Sequence, residues 1–369
     1  MQKYKMFRKT RNTFLIGTRI YDGNLTRGQG LGTDGNDANF TFINPNAKEY
    51  NDYAFDTKNI ALFAEHIFQF TQKLTLTPGM RYEHIVVDYD GYYGDDGKSV
   101  SEVGTSTRNF PLFGVGLQYQ INDDINFYSN ITQGFRAVHF NDLRVENPNI
   151  VVDPDIKDSD GYNADIGFRG QVKDILVFDI NAFYLAYNDK IGRVTRTIDG
   201  EPVLYRTNVS NQRNTGLESL VEVNILKAIN PASPVSLSTF FSYAYVDAKY
   251  LNGEFDGNRA EFSPEHILKA GVNFRSEHFS TSLNYSYMGD QYSDANNTES
   301  TVTGNQGYIP SYGVFDFSMN YDIDNYTIAF GVNNLLNKVY FSRRATGYPG
   351  PGIIPAEPRH FYFTLGFKI

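Results

Sequence analysis

Arg136, Arg343, Arg344 and Arg359 are the residues of this chain best suited to chemistry. A guanidinium is planar, permanently charged and forked, so several of them in a concave, partly desolvated site bind a carboxylate-bearing anion. All four fall at or just beyond the ends of segments in which apolar and polar residues alternate. Arg136 is the strongest candidate, because it shares the polar face of its segment with Asn126, Tyr128, Asn130 and Thr132. Tyr348 and Tyr362 are candidates to line the mouth of the same site, although a chain with 27 tyrosines places rings at many such positions by composition alone. The competing reading pairs each arginine with one of the abundant loop Asp or Glu side chains.

Other chemistries find less support. His139, beside Asn141 and Asp142, reads as a solvated loop histidine rather than a metal ligand. The acidic run Asp88-Tyr-Asp-Gly-Tyr-Tyr-Gly-Asp-Asp-Gly97 fails as a calcium loop, since Tyr92 and Tyr93 occupy positions where a ligand and a glycine are required. Gly347 to Gly352 is a turn-rich loop and not a phosphate cradle, because no helix pattern follows it. No Ser, His and acidic residues fall on neighbouring segment ends as a hydrolase would need, so no enzyme is expected. The formal net charge of −9 argues against a nucleic-acid partner. The absence of cysteine removes disulfides and thiolate metal sites.

The elements that must position these residues are strands. From His360 the chain places Phe361, Phe363, Leu365, Phe367 and Ile369 on one face and His360, Tyr362, Thr364, Gly366 and Lys368 on the other. About fourteen such segments are expected, near residues 12–25, 57–70, 74–89, 109–120, 125–138, 161–170, 174–187, 214–225, 235–249, 264–274, 278–292, 311–322, 326–340 and 360–369. No helix pattern competes, and residues 227–234 read as a turn of middling length. Within 326–340, Ile328, Phe330 and Val332 share one face, while Thr327, Ala329, Gly331 and Asn333 share the other.

Connections alternate in length. Short ones fall at residues 71–73, 122–124, 171–173, 275–277 and 322–325; long polar ones fall near 26–56, 91–108, 139–160, 188–213, 250–263, 293–310 and 341–359. Short turns at one rim and long loops at the other, with about ten alternating residues between, describe an antiparallel transmembrane β-barrel; closure satisfies every backbone group in lipid. The aromatic surplus, 29 Phe and 27 Tyr, then coats the outer face, with Tyr187, Tyr205, Tyr250, Tyr292, Tyr340 and Phe341 expected in an interfacial girdle. The lumen is polar or lined by small residues. The basic N-terminus is followed by an apolar run, Phe14 to Ile16, too short for an export signal, so the chain is expected to be a mature form, a truncated one or an incomplete reading frame.

Particular residues resemble a known family. Asn333-Asn-Leu-Leu-Asn-Lys-Val-Tyr340 resembles the penultimate-strand signature of TonB-dependent outer-membrane receptors, and Gly134-Phe-Arg-Ala137 resembles the motif by which one of their strands enters an extracellular loop. Phe63-Ala-Glu-His66 with Leu74-Thr-Leu-Thr-Pro-Gly-Met-Arg-Tyr82 resembles their central hairpin. Arg343-Arg344 followed by Tyr348-Pro-Gly-Pro-Gly-Ile-Ile-Pro355 is similar to a loop of the ferric dicitrate transporters within that family. Val138 and Ile369 depart from it, standing where the family usually has Pro and Phe.

The resemblance implies an all-β chain, residues 1–369 forming the C-terminal part of one receptor barrel, with about 14 of about 22 strands present and the plug domain outside it. It implies a bacterial outer-membrane receptor for a ferric siderophore or ferric citrate, with the Fe(III) chelate as cargo and no resident cofactor. Implied partners are the TonB complex, reached through the plug, the outer-membrane lipid and the barrel-assembly machinery. A passive, non-energised pore is the alternative.

Overall fold

The computed structural model describes residues 2–4, 12–33, 41–95, 98–139, 142, 150–198, 201–345 and 352–368. In chain order the strands begin with β1 (Gln2–Tyr4), β2 (Asn12–Gln29), β3 (Asn51–Gln69), β4 (Leu74–Asp95), β5 (Lys98–Gln120), β6 (Ile125–Arg136) and β7 (Ile150–Val152). They continue with β8 (Ser159–Val172), β9 (Leu176–Ile198), β10 (Glu201–Asn224), β11 (Ser236–Tyr250), β12 (His266–Arg275), β13 (Phe279–Met288), β14 (Gln291–Tyr292) and β15 (Tyr308–Ile309). The last are β16 (Tyr312–Ile323), β17 (Tyr326–Asn333), β18 (Phe341–Ala345), β19 (Gly352–Pro355) and β20 (His360–Phe367). All the expected strands are present. The short β1, β7, β14, β15, β18 and β19 are additional.

Two compact units make up the chain: Met1–Gly116 with Val138–Ile156 and Thr195–Arg206, and Leu117–Ala137 with Lys157–Val194 and Thr207–Ile369. In the first, β1 to β5 follow one another as neighbours, and β7 pairs in parallel with the start of β10. The β3–β4 ladder runs from Asn51↔Tyr93 to Glu65↔Gly79 and resumes at Phe68↔Leu76 in the same register. The interruption falls at Pro78, which has no N–H to give.

In the second unit the neighbours are β6, β8, β9, β10, β11, β12, β13, β16, β17 and β20. Its register sorts the faces. Leu283 lies opposite Phe317, Ile328 opposite Leu365 and Phe330 opposite Phe363, so these rows form one apolar face. Phe361, Phe363 and Leu365 stay 64%, 67% and 64% exposed there, as lipid-facing residues must. On the other face Ser282 lies opposite Ser318, Asn284 opposite Asp316 and Gly331 opposite Tyr362. A β-carbon on residue 331 would overlap the Tyr362 ring, so glycine is what lets that ring lie flat on the polar wall. A cavity of about 660 Å³ opens on this face, lined by Ser236, Asn273, Ser282, Ser318, Asn320 and Tyr362 among others.

Short turns are built from local side-chain hydrogen bonds, which makes them self-sufficient. Thr71 Oγ1 accepts from the backbone of Lys73 and Leu74, and Asn122 Oδ1 from that of Asp124 and Ile125. Residues 227–234 depart from the expectation of no helix. A five-residue helix, α1 (Ile225–Ile229), forms there: Asn224 caps it by accepting from Lys227 N, and the Lys227 ammonium closes the turn on the carbonyls of Pro231 and Ser233.

Two long connections are shorter than expected. β4 continues to Asp95 and β5 begins at Lys98, while β9 continues to Ile198 and β10 begins at Glu201, so most of 91–108 and 188–213 is hairpin. A ladder beyond the lipid needs backbone pairing but no apolar face, so alternation stops before the strand does. In the opposite sense, the expected strand 326–340 ends at Asn333, and Asn334, at φ 51°, turns the chain away.

Candidate functional site

At the long-connection rim of the second unit the loops form an ordered layer. Residues 251–262 and 293–307 are stitched together by Asn258 Nδ2 donating to the Ala295 carbonyl (2.9 Å), by Arg259 N donating to Asn297 Oδ1 (2.8 Å) and by Asn297 Nδ2 donating to the Arg259 carbonyl (2.8 Å). The Arg259 guanidinium donates to the Asp290 carboxylate and carbonyl, both at 2.9 Å, and lies 5.7 Å above the Tyr292 ring. Tyr292 meets Tyr308 edge-on at 5.7 Å. Burial and neighbouring carboxylates raise both phenols above the usual tyrosine range, so both remain proton donors at neutral pH.

Arg344 completes this layer. Its guanidinium donates to the Tyr308 carbonyl (2.7 and 3.2 Å) and to the Gly304 carbonyl (2.7 Å), and it lies 5.2 Å above the Phe341 ring. Those acceptors are neutral. Arg343, next to it on β18, is exposed and has no hydrogen bond or ion pair among the described residues. Arg359 is exposed; its backbone N–H donates to Asn337 Oδ1 (3.1 Å) and its guanidinium to the Leu335 carbonyl (3.4 Å). Among the described residues none of the three has a carboxylate partner, in contrast to Arg259, which is paired with Asp290 and Glu265. Residues 340–360 carry Arg343, Arg344 and Arg359 against one carboxylate, Glu357, in a chain whose net charge is −9. The result is a local positive pole, with Arg344 half-buried and Arg343 and Arg359 exposed, suited to an anion with several carboxylates.

The remaining expected residues are placed as follows. Arg136 ends β6, half-buried, opposite Ser159 of β8 on the polar face that also carries Tyr128, which donates to Asp179 (2.6 Å). Strand order separates it from the three loop arginines, since β6 and β20 are the two ends of the second unit's sequence of strands. Tyr348 lies outside the described residues. Tyr362 lines the polar wall rather than the rim. His139 is exposed, with its backbone N–H donating to Asp142 (3.0 Å), and Asp142 in turn pairs with Arg206 (3.3 Å).

Three groups escaped the sequence reading. Glu261 joins β9, β11 and a loop through Lys190 Nζ (2.9 Å) and the Tyr250 hydroxyl. Tyr250, expected in the lipid girdle, is instead 1% exposed beneath Lys190, which lies 5.0 Å over its ring, because the 251–262 loop folds over the strand end. Asn334, 4% exposed, is the hub of the turn after β17. Its recurrence with Asn337, both at positive φ, was the available signal, since asparagine tolerates the left-handed region.

Residues 3–335 match the family model described as TonB dependent receptor-like, beta-barrel, and the chain belongs to that family. It is an all-β outer-membrane protein, of a family of receptors rather than enzymes. Among solved structures it is similar to the ferric citrate transporter FecA in the unliganded form, with a TM-score of 0.75 and 22% identity over 99% of this chain and 52% of that one. It is also similar to the ferric yersiniabactin uptake receptor FyuA from Yersinia pestis (TM-score 0.71, 15% identity, 99% and 52% covered) and to the copper transporter OprC (0.71, 15%, 97% and 54%). The chain thus spans about half the length of each. At these identities the likeness shows the shared fold, and the different cargoes in those names show that the fold alone does not select one.

Proposed function

We propose that this chain forms wall strands and the capturing loops of a receptor for an anionic ferric chelate, of siderophore or citrate type, energised through TonB by the rest of the protein. The observation that carries the proposal is the set of guanidiniums at 343, 344 and 359 with no carboxylate partner among the described residues. A chelate arrives with iron already coordinated, so its receptor needs cations and hydrogen-bond donors for the outward carboxylates rather than metal ligands of its own. Arg344 is fixed by three hydrogen bonds to loop carbonyls and keeps its charge, an arrangement that organises a cation before the ligand comes. The ferric citrate transporter FecA, whose fold this chain shares, makes citrate the first cargo to test.

The test is iron uptake by cells expressing the full receptor. Iron supplied as ferric citrate enters saturably and only when TonB is present, whereas iron supplied on a neutral chelate does not. Uptake that is unsaturable and indifferent to TonB would instead identify a passive pore.

A further inference from the structure

The turn after β17 projects two side chains that chelate capture leaves unused. Leu336 is 70% exposed, and the exposed Lys338 ammonium has no ion pair among the described residues. With Tyr285, Tyr287, Gly313 and Phe315 they line a cleft of about 340 Å³. Its floor belongs to the apolar, outward face: Tyr285 lies opposite Phe315 and Tyr287 opposite Gly313, two and four residues along from Leu283↔Phe317. A β-carbon at 313 would overlap the Tyr285 hydroxyl, so the glycine gives that ring its place on the floor. The roof is held rigidly. Asn334 Oδ1 accepts from Lys338 N (2.7 Å), Asn334 Nδ2 donates to the Lys338 carbonyl (2.9 Å), and Asn337 N donates to the Asn334 carbonyl (2.8 Å).

An aromatic and aliphatic cleft on the lipid face, capped at the long-loop rim by one uncompensated cation, is complementary to one kind of molecule. We infer that it binds an anionic lipid of the outer leaflet, with an acyl chain along Tyr285, Phe315 and Leu336 and a phosphate on Lys338. The lipid is the source of that phosphate, since a free ion gains nothing from the apolar floor, and a zwitterionic lipid gains less from Lys338 because its own cation offsets the phosphate charge. The inference holds whatever the receptor's cargo.

The experiment is native mass spectrometry of the full receptor released from detergent after incubation with lipid A, with phosphatidylcholine and inorganic phosphate as comparison probes. Lipid A is retained on the wild type. Lys338→Glu and Leu336→Asp, both at exposed positions, each lower the bound fraction at least about fivefold. Lys173→Glu, at the opposite rim, leaves it unchanged. Absence of a lipid A adduct, equal retention of phosphatidylcholine, displacement of the lipid by inorganic phosphate, or wild-type retention in both variants would overturn the assignment.

Discussion

Lys190→Met lowers the unfolding free energy of the receptor by about 3 kcal/mol at neutral pH, the low end of the cost of breaking a buried ion pair. The side chains of Lys190 and Glu261 are only 20% and 23% exposed, so solvent cannot take over when one partner is removed. Lys190 Nζ donates to Glu261 Oε1 (2.9 Å) and to the Tyr250 hydroxyl (3.1 Å), and that hydroxyl donates to the other carboxylate oxygen. The same cluster anchors a strained position, because the next residue, Phe262, has φ 52° and is 50% exposed.

The pH dependence separates this ion pair from simple packing. Burial alone would raise the Glu261 carboxyl, but the Lys190 charge and the hydrogen bonds from Tyr250 and Lys190 outweigh it and hold the group below its ordinary 4.5. A carboxyl lowered on folding contributes stability that is whole above 4.5 and is lost as pH falls through the lower folded value. In Lys190→Met the charge and hydrogen bond of Lys190 are gone, and only the Tyr250 hydroxyl and a backbone hydrogen bond still oppose burial, so the carboxyl is lowered less and less stability is lost on acidification. Denaturant midpoints measured from pH 6 down to about pH 3 fall more steeply for the wild type than for the variant. Parallel curves would show that Lys190 acts through packing alone.

Asn334→Ala costs a similar amount, about 3 kcal/mol, by a different route. Alanine at φ 51° loses about 1 kcal/mol to the left-handed conformation, and the bonds of Asn334 Oδ1 to the Lys338 N–H and of Asn334 Nδ2 to the Lys338 and Glu357 carbonyls are lost, about 1 kcal/mol for each side-chain atom. Asn334→Gly relieves the backbone penalty while leaving those partners unmet, so its cost is about 2 kcal/mol. Unfolding of the two variants side by side measures the split; equal costs would mean that the conformation contributes nothing. The damage extends to the anion site, since Arg359 is held by Asn337 and the Leu335 carbonyl of the same turn.

How far the chain could be read depends on where each residue lies relative to lipid. Inside the membrane the solvent enforces alternation, so Ile328, Phe330 and Val332 were assignable to one face and Thr327, Ala329, Gly331 and Asn333 to the other, and the register with β20 agrees. Above it that constraint lapses. The β4–β5 and β9–β10 hairpins run on through residues such as Asp88, whose carboxylate takes a hydrogen bond from Thr105, with no apolar stripe to reveal them. Conversely, Val339 and Tyr340 looked like the continuation of a strand, while Val339 is 89% exposed in a turn that asparagine side chains dictate.

The loop arginines were identifiable by type, but their state was not. Whether Arg344 meets a carboxylate or the carbonyls of Gly304 and Tyr308 depends on which loop folds against it, and those carbonyls are 36 to 40 residues distant in sequence. Lys190 and Glu261 are 71 residues apart, which is beyond the reach of any local pattern.

Equilibrium binding of ferric citrate to the full receptor, wild type against the Arg343→Ala/Arg359→Ala double variant, tests the proposed capture site most directly. Each charge-assisted hydrogen bond from a guanidinium to the ligand is worth about 1.5 kcal/mol or more, so affinity falls at least about tenfold. Unchanged ferric citrate affinity in the double variant would contradict the assignment of these arginines to the ligand.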